Sequence, residues 1–220
     1  MIVHKDRDFV VVSKPAPLLV HQHPRFPNEY PLLQRVRDEL GHYVWPVHRL
    51  DRPTSGCLIM ACNREAIASL SQALREGKKY YWALVRGILT EKGPIEVRTP
   101  IKKNKLQYQD AHSTVWSIGS NTEPRCSMVR VQIHTGRNHQ VRRHLRDLNH
   151  PIIHDGDHGD SRINRWWREN LGLKRLALHS GQLEFQYQGQ QYKFMSPFPH
   201  DLRIVLEKLP FWTQIKRHFN

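Results

Sequence analysis

Residues 48–56 read HRLDRPTSG, with Asp51 set between Arg49 and Arg52 and the run leading into an apolar stretch. A carboxylate in that setting is costly unless paired, and the adjacent guanidiniums hold it ionised. An ionised acid so placed is equipped for attack or for stabilising a developing positive centre. The same residues equally suit a structural Asp–Arg salt bridge at a loop, because ion-pair networks also perturb acids. A second set of chemistry-bearing side chains lies downstream: His134, His139, His144, His150, His154, Asp155, Asp157, His158 and Asp160. That richness would suit a metal-dependent nuclease or phosphohydrolase. Spacing weakens the metal reading, since five residues turn a helix by roughly 140° and His139 and His144 then share no face. Cys57 and Cys62 are not at zinc spacing, and three cysteines make no disulfide framework. They read as buried thiols of a reducing cytosol.

The elements that must position these groups follow from pattern. Asp8 to Pro15 is a strand stopped by proline, and five prolines between 15 and 31 demand loop or edge. A helix begins near Pro31, with Leu33, Val36 and Leu40 on one face and Gly41 ending it. Gly56 to Cys62 is a buried strand. Asn63 caps a helix whose stripe is Ile67, Leu70 and Leu74, closed by Gly77. Tyr80 to Val85 and the alternating Met128 to His134 are strands. The pattern from Glu91 to Pro124 is weak and polar, implying strands with long connections. Asn138 to Leu148 has helical spacing. Leu183 to Tyr187 and Tyr192 to Met195 flank QGQQ as a hairpin, and a short helix spans about Asp201 to Leu209. Without regular βαβ alternation, the expected class is α+β with a largely antiparallel or mixed sheet.

The 220 residues suit one domain or one bilobed unit. No apolar run reaches the roughly 18 residues of a membrane span, and the N-terminus has no signal-peptide layout. The net charge of +14 calls for a polyanionic partner. Arg75 to Lys105 holds nine basic and three acidic residues, and Arg125 to Arg175 eleven basic and five acidic. Arginine predominates, and Tyr80, Tyr81, Trp82, Trp166 and Trp167 are interleaved. Phosphate neutralisation beside flat rings is what single-stranded or locally opened RNA requires. The helix at 138–148 has an apolar stripe only wide enough to pack on a sheet, so a membrane surface is the weaker reading.

HRLDRPTSG closely resembles the signature of RluA-type pseudouridine synthases. KYYWALVRG (79–87) resembles that family's tyrosine-bearing strand, IHTGRNHQVRRHL (133–145) its TGR-x-HQ-[IV]-R helix start, and HPIIHDGDHG (150–159) its HPI-x-GD turn. RLALHS (175–180) and VVVSKPAPLLVH (10–21) resemble two further elements, so the match spans about Val10 to Tyr187. HGD-x-R-x-N (158–164) is most similar to the TruC subgroup, the tRNA pseudouridine-65 synthases. His158 and Ser180 depart from the usual Tyr and Ala, and the stretch from Glu91 to Cys126 is shorter than is typical of that subgroup.

The resemblance implies a single pseudouridine synthase catalytic domain over 1–220, without an S4 RNA-binding domain. It implies a bilobed mixed or antiparallel sheet with flanking helices and a central active-site cleft. It implies an RNA-modifying isomerase that needs no cofactor and no metal. The implied partner is RNA, specifically tRNA, with no DNA and no membrane, and the implied enzyme is a cytoplasmic monomer. Asp51 takes the place of the catalytic aspartate, attacking the ribose C1′ or the base C6. Arg142 matches the arginine that pairs with that acid, with Arg143 the alternative by register. Tyr81 matches the tyrosine that stacks on the target uracil, Arg49 the arginine that enters the space vacated by a flipped nucleotide, and Leu178 the apolar wall of the uracil pocket. Flipping is expected because C6 and C1′ are shielded inside a stacked helix. Arg137, Arg143, Arg146 and the Arg162–Arg168 cluster are candidates for phosphate contacts. A ribosomal-RNA pseudouridine synthase of the same family and a non-catalytic RNA-binding protein of the same fold are the remaining rivals.

Overall fold

The computed structural model describes residues 1–91, 93–104 and 106–219. The chain divides into two compact units, Met1–Lys78 with Ser180–Pro197, and Lys79–His179 with Phe198–Asn220. Elements are numbered in chain order.

In the first unit β1 (Ile2–Lys5) pairs antiparallel with β2 (Phe9–Lys14), and β2 pairs antiparallel with β4 (Ser55–Ala61). The two-residue β3 (Trp45–Pro46) also lies on β4. The register sets Phe9 opposite Ala61 and Val11 opposite Ile59, so period-two alternation puts these four on one face. Helix α2 (Ala66–Glu76) covers that face with Ala66, Leu70, Ala73 and Leu74. Leu183 and Phe185 of β11 (Leu178–Tyr187) and Phe194 of β12 (Gln190–Met195) complete the cluster. The Asn63 Oδ1 accepts the Ala66 N–H at 2.8 Å, the cap that its position predicted. The β11–β12 turn uses Gln188 and Gly189, both at positive φ (48° and 80°), the conformation a two-residue hairpin requires. Helix α1 (Leu32–Leu40) ends at Gly41 (φ 73°) as expected, but its inward face is Leu32 and Val36, one turn apart, while Leu33 and Leu40 are half-exposed.

In the second unit β5 (Lys78–Arg86), β10 (Arg125–Ile133) and β9 (Ser113–Thr122) form an antiparallel ladder, with β6 (Ile95–Val97) beyond β9. β7 (Ile101–Lys102) and β8 (Tyr108–Gln109) make a small separate pair. The ten residues of β9 were only weakly marked in the sequence, because their partly exposed positions carry Trp, Ser, Ile and Gly without a clean alternation. Helix α3 (Gln140–Asp147) packs near β10 with Val141 and Leu145 buried. Helices α5 (His200–Glu207) and α6 (Trp212–Ile215) follow β12, and α6 lies against β9.

Four of these elements have no counterpart in the sequence reading: β1, the two-residue β3, the eleven-residue α4 (Ser161–Leu171) and the four-residue α6. The α4 boundary signals were nonetheless present. The Asp160 carboxylate accepts from the N–H groups of Arg162 and Ile163, and Gly172 closes the helix at φ 79°. What α4 lacks is an apolar stripe, since Trp167 is its one buried side chain among the described residues.

Candidate active site

Asp51 sits in the short loop that joins β3 to β4. The chain enters anchored: the Val47 N–H donates to the Ile59 oxygen at 3.0 Å, and the Ile59 N–H donates to Nε2 of His48 at 3.1 Å. Because Nε2 accepts there, the His48 ring proton sits on Nδ1 when the ring is neutral. Arg49 points outward, Leu50 is buried at 5% exposure, and Asp51 is half-exposed. The Thr54 N–H returns to the Asp51 oxygen at 3.0 Å, closing a turn.

The downstream side is anchored by charge. Nζ of Lys14, fully buried, donates to the oxygens of Leu18 (2.7 Å), Pro15 and Arg52 (both 3.1 Å). The Arg52 guanidinium donates from Nε to Glu29 at 2.7 Å and lies 4.4 Å from the Phe26 ring centre. Burial opposes ionisation of Glu29, but Arg52 and the Leu19 N–H outweigh it and hold the carboxyl below its ordinary range. At the start of β4, Gly56 has φ +122°, and a Cβ there would lie 2.1 Å from the Ser180 oxygen. Only glycine fits that close approach.

In the second unit Tyr81 lies on β5 opposite Val131 and is 8% exposed. Tyr80 faces the other side, where the Arg130 guanidinium stacks 5.2 Å from its ring centre. Strand alternation thus sets the two tyrosines on opposite faces. Leu178 is buried at the start of β11.

Arg142 and Arg143 are cleanly distinguished. Arg143 is half-exposed and donates to the Lys102 oxygen. Arg142 is buried and donates from Nε and Nη2 to the two oxygens of Asp155, at 2.8 and 2.6 Å, and from Nη2 to Asp157 at 2.7 Å. Asp155 also accepts the N–H groups of Asp157 and His158. Burial raises the Asp155 pKa, but Arg142 and the two N–H groups more than offset it, so the net displacement is downward. The sequence offered no sign that Asp155 is a partner of Arg142; the GD turn that brings them together is a tertiary event.

Gln140 fixes the start of α3. Its Oε1 accepts from the Thr135 hydroxyl and the Arg137 N–H, and its Nε2 donates to the His112 oxygen and Ser113 Oγ, satisfying both ends of a buried amide. His144 donates from Nε2 to the Thr99 oxygen and accepts at Nδ1 from the Ser113 hydroxyl. Burial lowers its pKa, which suits that neutral tautomer.

The side chains that suggested a metal are committed elsewhere: Asp155 and Asp157 to Arg142, Asp160 to the α4 cap, and His144 to the β9–α3 contact. Among the described residues no three His, Cys, Asp or Glu side chains are grouped to hold an ion. Cys57 and Cys126 are buried, which pushes each thiol up to about 12, while Cys62 is half-exposed. No helix among the described residues is long and apolar enough to cross a membrane.

Comparison with known proteins gives a consistent picture. The profile of a family described as RNA pseudouridylate synthase matches residues 8–147, a span that includes Asp51, Tyr81 and Arg142. tRNA pseudouridine synthase C of Vibrio vulnificus is 32% identical over 239 aligned residues, covering 99% of this chain and 94% of the relative. The Yersinia pestis protein of the same name is 36% identical over 207 residues, covering 84% of this chain and 80% of its own. Human RNA Pseudouridylate Synthase Domain Containing 1 superposes with a TM-score of 0.71 at 25% identity, over 90% of this chain and 83% of that one. Domain Containing 4 shares the fold, with a TM-score of 0.75 at 21% identity over 94% and 91%.

Proposed function

The chain belongs to the RNA pseudouridylate synthase family, and from that premise we propose that it isomerises one uridine of tRNA to pseudouridine, uridine 65 being the target its motifs imply. The reaction breaks the N1–C1′ bond, turns the uracil and joins C5 to C1′, with the C5 proton leaving and a proton taken up at N1. Atoms balance without oxidation or group transfer, so the work falls on side chains.

On this reading Asp51 is the catalytic carboxylate, ionised so that it can attack or stabilise C1′ or C6. Arg142 is the arginine that the family resemblance pairs with that acid, and the plane of its guanidinium is set by the bidentate bond to Asp155. Tyr81 holds the detached uracil by stacking between the two bond changes. Leu178 walls the base, and Arg49, turned outward, fills the gap the flipped nucleotide leaves.

One observation carries the tRNA assignment: the likeness to tRNA pseudouridine synthase C runs nearly end to end instead of being confined to the catalytic motifs. The test is pseudouridine mapping of total RNA from cells with and without the gene, alongside the purified chain acting on tRNA transcripts without added cofactor. Loss of a single tRNA mark is expected. Loss of a mark only in ribosomal RNA would replace tRNA by rRNA as the substrate, and no change in either would remove the proposal.

A further inference from the structure

Helix α4 has a composition that packing does not explain. Its turns place Arg162, Arg165, Trp166 and Glu169 on one face, opposite the buried Trp167. All four are exposed, and Trp166 is 42% accessible, with Arg168 exposed on the flank. An exposed indole buries little apolar surface within the fold, and here it stands one turn from Arg162 and beside Arg165. Three cations to one acid, around a flat ring, complement a polyanion that also offers π-faces.

The helix is also keyed to the residues that hold Arg142. The Asn164 Oδ1 accepts the His154 N–H at 2.8 Å, and its Nδ2 donates to the Asp155 oxygen at 2.9 Å. Gly159 closes over the same point, where a Cβ would stand 2.5 Å from the Asp155 oxygen. The Arg/Trp face is therefore rigidly indexed to the Asp155–Arg142 pair, through bonds that all lie within the second unit.

We propose that α4 is a second RNA-contacting element, in which Trp166 stacks on an unpaired or helix-terminal base outside the reacting uridine while Arg162 and Arg165 neutralise the adjoining phosphates. The proposal rests on the reading of the protein as an RNA-modifying enzyme. It adds a place on the protein where RNA other than the target nucleotide is held, and a physical link from that place to Arg142.

The experiment uses the full chain in four forms: parent, Trp166→Ala, Trp166→Phe, and the double variant Arg162→Ala/Arg165→Ala. Equilibrium binding of an unmodified tRNA transcript is measured across a salt series, with pseudouridine formation followed in parallel. Trp166→Ala should weaken binding about 5- to 150-fold, the span for losing one stacked base, and Trp166→Phe should recover most of it. The arginine pair should lower the slope of log K against log salt by about 1.4 to 1.8, from two phosphates at roughly 0.7–0.9 each. The loss should appear in KM more than in kcat. Unchanged RNA affinity in Trp166→Ala, or a loss that Phe does not recover, overturns the proposal. So does a fall in self-association with RNA affinity intact, which would mark a protein-docking face. Binding is read independently of turnover: a parent that binds through Trp166 but makes no pseudouridine sinks the functional reading and spares this one, and the converse result does the reverse.

Discussion

Arg142 and Asp155 meet through two parallel hydrogen bonds of 2.8 and 2.6 Å, with side chains 4% and 0% exposed. Such a pair is tolerated in the interior only because each charge answers the other. Asp155→Asn leaves the guanidinium under-compensated and should cost about 3–5 kcal/mol of unfolding free energy. Asp157 bonds the same Nη2 but is 62% exposed, so Asp157→Asn should cost less than about 1 kcal/mol. Urea unfolding of the two variants checks the contrast, and equal losses would refute it.

The same pair sets a pH dependence. The Asp155 carboxyl is held below its ordinary range in the folded chain and returns to about 3.9 when unfolded. A depressed folded pKa means its contribution is complete above the unfolded value and is lost as pH falls through the folded one. The stability gap between parent and Asp155→Asn should therefore be constant from pH 5 to 7, taken at roughly neutral conditions, and should shrink below about pH 4. Urea midpoints across that range provide the measurement.

Asp51→Asn should lower pseudouridine formation by about 10²-fold or more, the scale on which a positioned reacting group contributes, while leaving tRNA affinity near that of the parent. Tritium release from C5-labelled uridine reports the first quantity and filter binding the second. Full activity in the variant would move the catalytic assignment away from position 51.

Gly56→Ala tests the close approach of β4 to β11. The backbone there has φ +122° and the new methyl would meet the Ser180 oxygen at 2.1 Å, so strain and displacement together should cost more than about 1–3 kcal/mol. Thermal melting of Gly56→Ala against Gly41→Ala separates the causes, because Gly41 also has positive φ (73°) but faces open space. Similar melting points for the two variants would contradict the clash.

Asn164→Ala should leave the His154 N–H and the Asp155 oxygen without their side-chain partner. Both kcat and KM should worsen if α4 communicates with Arg142, and circular dichroism should show helix content largely kept, since the Asp160 cap remains. A change in thermal stability alone, with both kinetic constants intact, would reduce Asn164 to a packing role.

The legible parts of the fold were those whose causes are local. Gly41 and Asn63 act within a few residues of themselves, and each did what its type predicts, while the hairpin was legible but its turn is Gln188–Gly189 alone, with Gln190 and Gln191 already paired in β12. The motif around Asp51 was legible as a loop before a buried strand for the same reason. Helix α4 was missed because it is held by its caps and by Asn164 more than by an apolar stripe. The Arg142–Asp155 bond was missed because it depends on a turn folding back across thirteen residues, and side chains weighed as metal ligands proved to be counter-ions.

Lys14 gives the loop at Asp51 a particular mechanical character. Its ammonium fastens the Arg52 carbonyl to the end of β2, while Val47 and His48 are fastened to Ile59 of β4. Only Arg49, Leu50 and Asp51 span the distance between those moorings, and Leu50 is sunk into the interior. A bridge three residues long, tied at both banks, has almost no slack, so the acid holds its station, and on the catalytic reading proposed above it is the nucleic acid that must travel to reach it.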